Sequence, residues 1–511
     1  MTYLSNVSEA MDVVVEMIAC IKFRVLLAAV AVVTAACLVL APVLGAPGEQ
    51  IDYRRLVEFE STRTYSDELT VALASRDVRV AGRAALALGR TEDARAAGPL
   101  RNATGARDVS LRTFAVYGYG LLAAKTPIST EVVTRVLRDR APAVRVAAVD
   151  AAWRAMAGKS PGAAGLAAEL GALLAGDRDP IVRARAATAL SGWRGEADAA
   201  AIAGGIQRAF RNEKNGTVRW HEAWALRRAF PEQTTAAVLR AGLADREELV
   251  RIQFADLVAR RKHTFEAKLL EPLLADTSWR VREQTIESVK VLAGGPRTDH
   301  LQAIPAGVVT PAPAPADTSA PLPRPSSSGV PRRPDAADAR LDLALAPTTS
   351  ARLDGPMPGP HPRVRIGTTK GTIVVRLYPE WAPLTVANFL GLANRGYYDD
   401  LRWFRVVPDF VAQTGDPHDN GDGDAGYTIP AEENPLEQRA GVISMGLNYT
   451  DGANPGPIRD SAGAQFYITI SPQLHLNRDF TVFGEVESGF PTLGRLIESD
   501  RMTKVERISD D

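Results

Sequence analysis

Cysteine is nearly absent from this 511-residue chain: there are two, Cys20 and Cys37, both within the first forty residues. Everything beyond them therefore folds without a disulfide framework or a cysteine-based zinc site, and a cysteine-free body is compatible with an oxidising compartment. Net charge is absent as well. Sixty Lys and Arg balance sixty Asp and Glu, so no basic footprint offers itself to nucleic acid and no partner class is indicated by electrostatics. Histidine is scarce, with six residues and no metal-ligand spacing. The length accommodates about three domains.

One long apolar run is present. Val25 to Ala46 is almost uninterrupted, preceded by Lys22 and Arg24 and followed by Pro47, Gly48 and Glu49. It reads as an export signal, and residues 1–48 are assigned to it. Roughly twenty apolar residues suffice to span a bilayer, whereas a secretory apolar core has about 7 to 15. An uncleaved transmembrane anchor is thus favoured over secretion by cleavage near Ala46. Either way the basic flank stays in the cytoplasm and the remainder faces outward, on the periplasmic side.

Residues 50–295 are rich in Ala, Leu and Arg with helical periodicity, and one phrase recurs. It appears as Asp77-Val78-Arg79, Asp108 to Arg112, Ala141 to Arg145, Asp179 to Arg183, Thr217-Val218-Arg219, Leu249-Val250-Arg251 and Ser278-Trp279-Arg280. A repeat of roughly thirty residues means stacked helical units. In the fullest form, Asp179-Pro180-Ile181-Val182-Arg183, Asp caps a helix, Pro suits its first turn, Val faces the core and Arg reaches the Asp of the neighbouring unit in a ladder. The phrase resembles the HEAT-like repeats of the short, lyase-associated type. That resemblance implies an α-solenoid that presents a long concave face and binds a protein partner.

Between 296 and 362 lie fifteen of the chain's 34 prolines, with Ala, Ser, Thr and Asp and few aromatics. Such a segment cannot bury a core and reads as a solvated linker between two independent folding units.

The C-terminal part, 363–511, carries the chemistry. Trp403 to Asp416 reads WFRVVPDFVAQTGD and Gly463 to Glu485 reads GAQFYITISPQLHLNRDFTVFGE; ahead of them stand the Lys370-Gly371 turn and APLTVANFLGLANRGYYDD at Ala382 to Asp400. These motifs, in this order, resemble the cyclophilins. The resemblance implies a closed antiparallel β-barrel with capping helices and peptidyl-prolyl cis/trans isomerase activity on proline-containing polypeptides. It implies that Arg405 is the catalytic residue. Substrate-binding roles fall to Phe410, Val411, Gln413, Gly446, Gln465, Tyr467, His475, Leu476 and Phe480. Because the reaction moves no proton and breaks no bond, no metal or cofactor is required.

Departures from the family pattern are also legible. His475 stands where many members carry Trp, Phe480 where many carry His, Val411 where Met is common, and Leu447 where Asn or Arg is common. The first implies weak binding of cyclosporin-type macrocycles. Gly421, Gly423 and Gly426 spell GxGxxG, but the acidic DNGDGDAGY context and the lack of a following helix make this a polar turn rather than a dinucleotide or calcium loop. The combined reading is an exported isomerase that assists folding of exported proteins, its solenoid recruiting clients. The alternative is a scaffold that binds proline segments with little turnover.

Overall fold

The structure is a computed structural model that describes residues 52–193, 198–294, 361–421, 423–450 and 456–508. The export segment and the proline-rich linker lie outside the described residues. Among the described residues no helix is long and apolar enough to cross a membrane.

The N-terminal region is helical: α1 (Tyr53–Ser61), α2 (Asp67–Leu73), α3 (Val78–Arg90), α4 (Ala97–Ala103), α5 (Val109–Leu121), α6 (Thr130–Leu137), α7 (Pro142–Ala157), α8 (Ala164–Gly176), α9 (Pro180–Leu190), α10 (Ala199–Asn212), α11 (Gly216–Ala229), α12 (Ala236–Leu243), α13 (Glu248–Arg261) and α14 (Trp279–Leu292). The starts follow from side-chain caps. Asp77, Asp108, Asp179 and Asn215 each accept a backbone N–H from the first turn of α3, α5, α9 and α11, and Pro142 and Pro180 open α7 and α9. The second helices stack in sequence, α3 on α5, α5 on α7, then α9, α11, α13 and α14. Small residues allow it. A Cβ added at Gly118 would lie 2.4 Å from the Ala85 carbonyl oxygen, so α3 and α5 approach closer than any side chain permits there.

A ladder of partly buried ion pairs ties each unit to the next. Arg112 reaches Asp139, Arg145 Asp177, Arg183 Glu213, Arg219 Asp245 and Arg251 Asp276, at 2.7 to 3.0 Å. Each of these arginines also donates to carbonyls five and six residues before it, as Arg145 does to Asp139 and Arg140. The two outer members of the sequence series depart from this. The ladder position lies four residues after the cap, which is Ala81 in the first unit and Arg282 in the last. Arg79 pairs with its own cap Asp77, Arg282 donates to the carbonyls of Asp276 and Thr277, and Arg280 pairs with Glu248 of the preceding unit and with Asp409 of the sheet region.

The C-terminal part is a curled antiparallel sheet: β1 (Arg363–Thr368), β2 (Gly371–Leu377), β3 (Arg405–Val406), β4 (Val411–Thr414), β5 (Val442–Met445), β6 (Phe466–Thr469), β7 (Val482–Ser488) and β8 (Met502–Ile508), in the order β3-β4-β6-β5-β7-β2-β1-β8. Helices α15 (Pro383–Asn394) and α16 (Phe490–Leu493) pack against it. The inner face buries Val364, Ile366, Ile373, Val375, Phe389, Tyr398, Trp403, Phe466 and Phe483. Strand β3 is two residues long and does not pair with β8. The preceding segment joins the edges instead, through an Arg402–Arg501 bridge and Trp403 N–H to Asp500 O at 2.9 Å.

The two regions are not simply strung along a linker. They share a buried interface along the second helices. Arg83 and Arg90, both paired with buried Glu60, donate to the carbonyls of Glu380 at 2.5 Å and Trp381 at 3.0 Å. Arg154 pairs with Glu433 at 2.9 Å, Arg459 with Glu92 at 2.7 Å, and His221 meets Glu437 at 3.2 Å. The Trp381 ring lies 4.8 Å from Phe114 and edge-on to Tyr117 at 5.9 Å. Local periodicity could not announce these pairs, because their members are about 200 to 400 residues apart in the chain.

Candidate active site

Strand alternation places the site. Successive strand side chains point to opposite faces, so Ala412, Phe466 and Ile468 enter the core while Val411, Gln413, Gln465 and Tyr467 share the outer face. The register sets Arg405 opposite Gln413 and Gln413 opposite Tyr467. Arg405, Gln413 and Tyr467 thus form a row across β3, β4 and β6.

The polar half of the site is a relay of donors. Arg405 Nη1 donates to Gln413 Oε1 at 3.3 Å, Gln413 Nε2 to Gln465 Oε1 at 3.0 Å, and Gln465 Nε2 to the carbonyls of Gly421 and Gly423 at 2.8 Å each. The Gly421 turn is in turn fixed by Asp416, whose carboxylate accepts from the N–H groups of His418 and Asn420 at 2.7 and 2.9 Å. The GxGxxG segment is therefore a polar turn bracing Gln465. Burial lowers the Arg405 pKa; a guanidinium starting so far above neutrality stays cationic. Its Cζ lies 5.3 Å from the centre of the Phe410 ring.

The apolar half is a small cluster separate from the core of the sheet region: Phe410, Val411, Tyr467, Leu476 and Phe480, with Val407 and Leu447 against it. Phe480 meets Tyr467 edge-on at 5.7 Å, and His475 lies parallel to Phe410 with ring centres 5.8 Å apart and 13° between planes. Gly446 is set where a Cβ would come within 3.0 Å of Gln465 Cβ and 3.4 Å of Gln413 Nε2. Its lack of a side chain keeps the polar relay in place. Burial drives the Tyr467 hydroxyl pKa well up, so it is neutral at working pH.

All ten residues singled out from the sequence thus gather at one place. Sequence reasoning did not list Val407 as part of the wall, although it sits beside the β3–β4 turn. Nor did it list Tyr449, whose ring lies 6.5 Å from Phe480; that residue sits in a long Gly- and Asn-rich loop without a pattern. Among the described residues no group of three or more His, Cys, Asp or Glu could hold a metal.

Comparison with known proteins gives the family of the sheet region. The family model described as cyclophilin type peptidyl-prolyl cis-trans isomerase/CLD matches residues 363–510. Peptidyl-prolyl cis-trans isomerase B of Bacillus subtilis is 47% identical over 135 residues, 26% of this chain and 88% of that protein. A peptidyl-prolyl cis-trans isomerase of Synechococcus elongatus is 39% identical over 145 residues, 28% of this chain and 94% of that one. A solved cyclophilin-type isomerase of Cryptosporidium parvum aligns over 30% of this chain and 99% of its own, at 27% identity and a TM-score of 0.27. The chain belongs to the cyclophilin-type peptidyl-prolyl cis-trans isomerases, and residues 363–510 are its isomerase domain.

Proposed function

We propose that Arg405 catalyses rotation about X-Pro bonds at this site. The amide resonance that must be lost sets a barrier of roughly 20 kcal/mol and leaves the unassisted process taking tens of seconds. As the bond twists, the prolyl nitrogen loses conjugation and regains a lone pair, becoming an acceptor only near the transition state. A guanidinium donating to that nitrogen stabilises the transition state and not the planar ground states, which is the condition for raising kcat. The proline ring sits against Phe410, Val411, Tyr467, Leu476 and Phe480, with His475 backing Phe410. Gln413 and Gln465 hold the substrate backbone, and Gly446 leaves room for it. No bond breaks and no proton moves, so the chain's own residues suffice. The observation that carries this reading is the placement of a cationic, partly buried Arg405 against Phe410 and the glutamine pair.

Around that site, the sheet acts as a closed barrel sealed at Arg402 and Arg501, and the helical region as a HEAT-like solenoid held by its arginine ladder. The apolar segment Val25 to Ala46 exports the chain and tethers it to the membrane, or is cleaved near Ala46; the isomerase then assists folding of exported proteins on the periplasmic side. A protein partner of the solenoid uses surface other than the face of Arg83, Arg90 and Arg154, which the barrel occupies. The second reading, a binder of proline segments with little turnover, is favoured by Phe480, which stands where many relatives carry His. A protease-coupled assay with a short proline peptide on the intact chain separates them. Acceleration in proportion to protein supports catalysis; peptide binding without acceleration supports the scaffold.

A further inference from the structure

The helical region does more than lie beside the isomerase domain: it grips the two loops that supply most of the apolar wall. The first is the β3–β4 turn, Val407 to Phe410, in which Asp409 adopts a positive φ of 60°. The Asp409 carboxylate pairs with Arg280, at the start of α14, and Arg280 is steadied from its own side by Glu248 at 2.7 Å. The second loop is Ser471 to Thr481, which carries His475, Leu476 and Phe480. In it Arg478, at φ 74°, donates from Nε to Asp150 of α7 at 2.6 Å, and its guanidinium lies 4.1 Å from the centre of the Trp153 ring. Leu474 of the same loop is buried within the apolar core of the helical region. The two loops are also joined to each other, since Ser471 Oγ and Gln473 Nε2 both donate to the Asp409 carbonyl, the latter at 2.8 Å. The anchors therefore fall one residue from Phe410 and two from both Leu476 and Phe480.

We propose that Arg280, Asp150 and Trp153 of the helical region are positioning residues for the proline pocket, so that substrate binding by the isomerase domain depends on the helices docked behind it. This rests on the isomerase reading above. The positive φ at Asp409 and Arg478 supports it: a non-glycine residue enters that region at a cost and stays there when its surroundings hold it. The loops so held carry the wall; Arg405, Gln413 and Gln465 sit on or beside sheet strands and need no such help. The proline ring meets the wall in the planar and the twisted states alike. Loosening the wall therefore removes uniform binding, which raises KM and leaves kcat in place.

The test compares Arg280→Ala, Arg478→Ala and the double variant with the wild-type full chain on a short proline peptide. The expected result is a KM raised by about three- to tenfold in the double variant with kcat changed by less than about twofold, partial recovery in Arg280→Lys, and altered amide resonances at Phe410 and Leu476. A wild-type KM in folded variants overturns the proposal, as does a fall in kcat alone. Should the double variant not fold, the single variants and Arg280→Lys decide on the same criterion. A wild-type chain without isomerase activity would instead refute the functional reading, before any variant is compared.

Discussion

Replacing Arg405 by alanine separates catalysis from stability. The side chain's ground-state contacts include a 3.3 Å hydrogen bond to Gln413 and a ring contact with Phe410 at 5.3 Å. A cation over an aromatic face contributes about 0.5 to 1 kcal/mol at a partly exposed site, and a hydrogen bond from a charged donor about 1.5 to 3 at good geometry, less at this length. These two contacts together contribute about 2 kcal/mol to the fold. In the transition state the same guanidinium donates to the prolyl nitrogen, and removing one such donor from a preorganised site costs about 2.7 to 4 kcal/mol, a factor of about 10² to 10³ in rate. Arg405→Lys keeps the charge but loses the planar fork and the stack on Phe410, so its rate should fall between the two. Protease-coupled kinetics with a proline tetrapeptide measure the rate, and circular dichroism melting measures the fold. A folded Arg405→Ala protein whose kcat falls by less than about tenfold, 1.4 kcal/mol, would refute the mechanism.

Other predictions concern buried charge and the pocket rim. Glu222 of α11 is wholly buried and its side-chain oxygens have no hydrogen-bond partner; burial, then Glu213, push its pKa up to about 9. A raised carboxyl favours folding less as pH climbs from about 4.5 towards 9, because only the unfolded chain releases the proton; at pH 7.5 the difference is about 4 kcal/mol, so Glu222→Gln should raise the melting temperature there and lose that advantage near pH 4. At the interface, ion pairing outweighs burial at Asp150, with Arg154 and Arg478, and at Glu437, with Arg185 and His221, lowering each carboxyl to about 2. Depressed carboxyls stabilise above their unfolded values and lose that contribution as pH falls towards 2, about 2 to 3 kcal/mol each. Acid titration followed by Trp381 fluorescence should show the helical and sheet regions separating below about pH 4, and an interface unchanged at pH 2.5 would contradict this. His475→Trp should tighten cyclosporin binding, since a parallel ring on Phe410 would gain area; nanomolar inhibition of the unaltered chain would show that inference wrong.

How much of this the sequence carried depended on range. The caps at Asp108 and Asp179 and the ladder from Arg112 to Arg251 were legible because cap, core residue and arginine lie within five positions of one another, whereas the Asn215 cap lies two residues ahead of the Thr217-Val218-Arg219 phrase and was not read. The ladder failed at its ends, where counting DVR and SWR as the phrase shifted Arg79 and Arg280 two places from the ladder register that Ala81 and Arg282 occupy. The site residues were legible because their order along the chain is itself a pattern, and strand parity then brings Gln413, Gln465 and Tyr467 to one face. The interface was not. Arg83 to Glu380 and Arg478 to Asp150 are ordinary charged residues in their local contexts, and nothing local to them distinguishes a solvent-facing arginine from one buried against a distant loop. The inference of two independent units rested on the proline-rich segment alone, which bears on the connection and not on whether its two ends meet.

The most direct test of the central claim is exchange spectroscopy on a proline peptide with a small fraction of intact protein. The account predicts cross-peaks between cis and trans resonances within about a second, against tens of seconds for the free peptide, and their loss in Arg405→Ala while peptide shifts still report binding. Shifts that report binding to the unaltered chain with no exchange cross-peaks would contradict it.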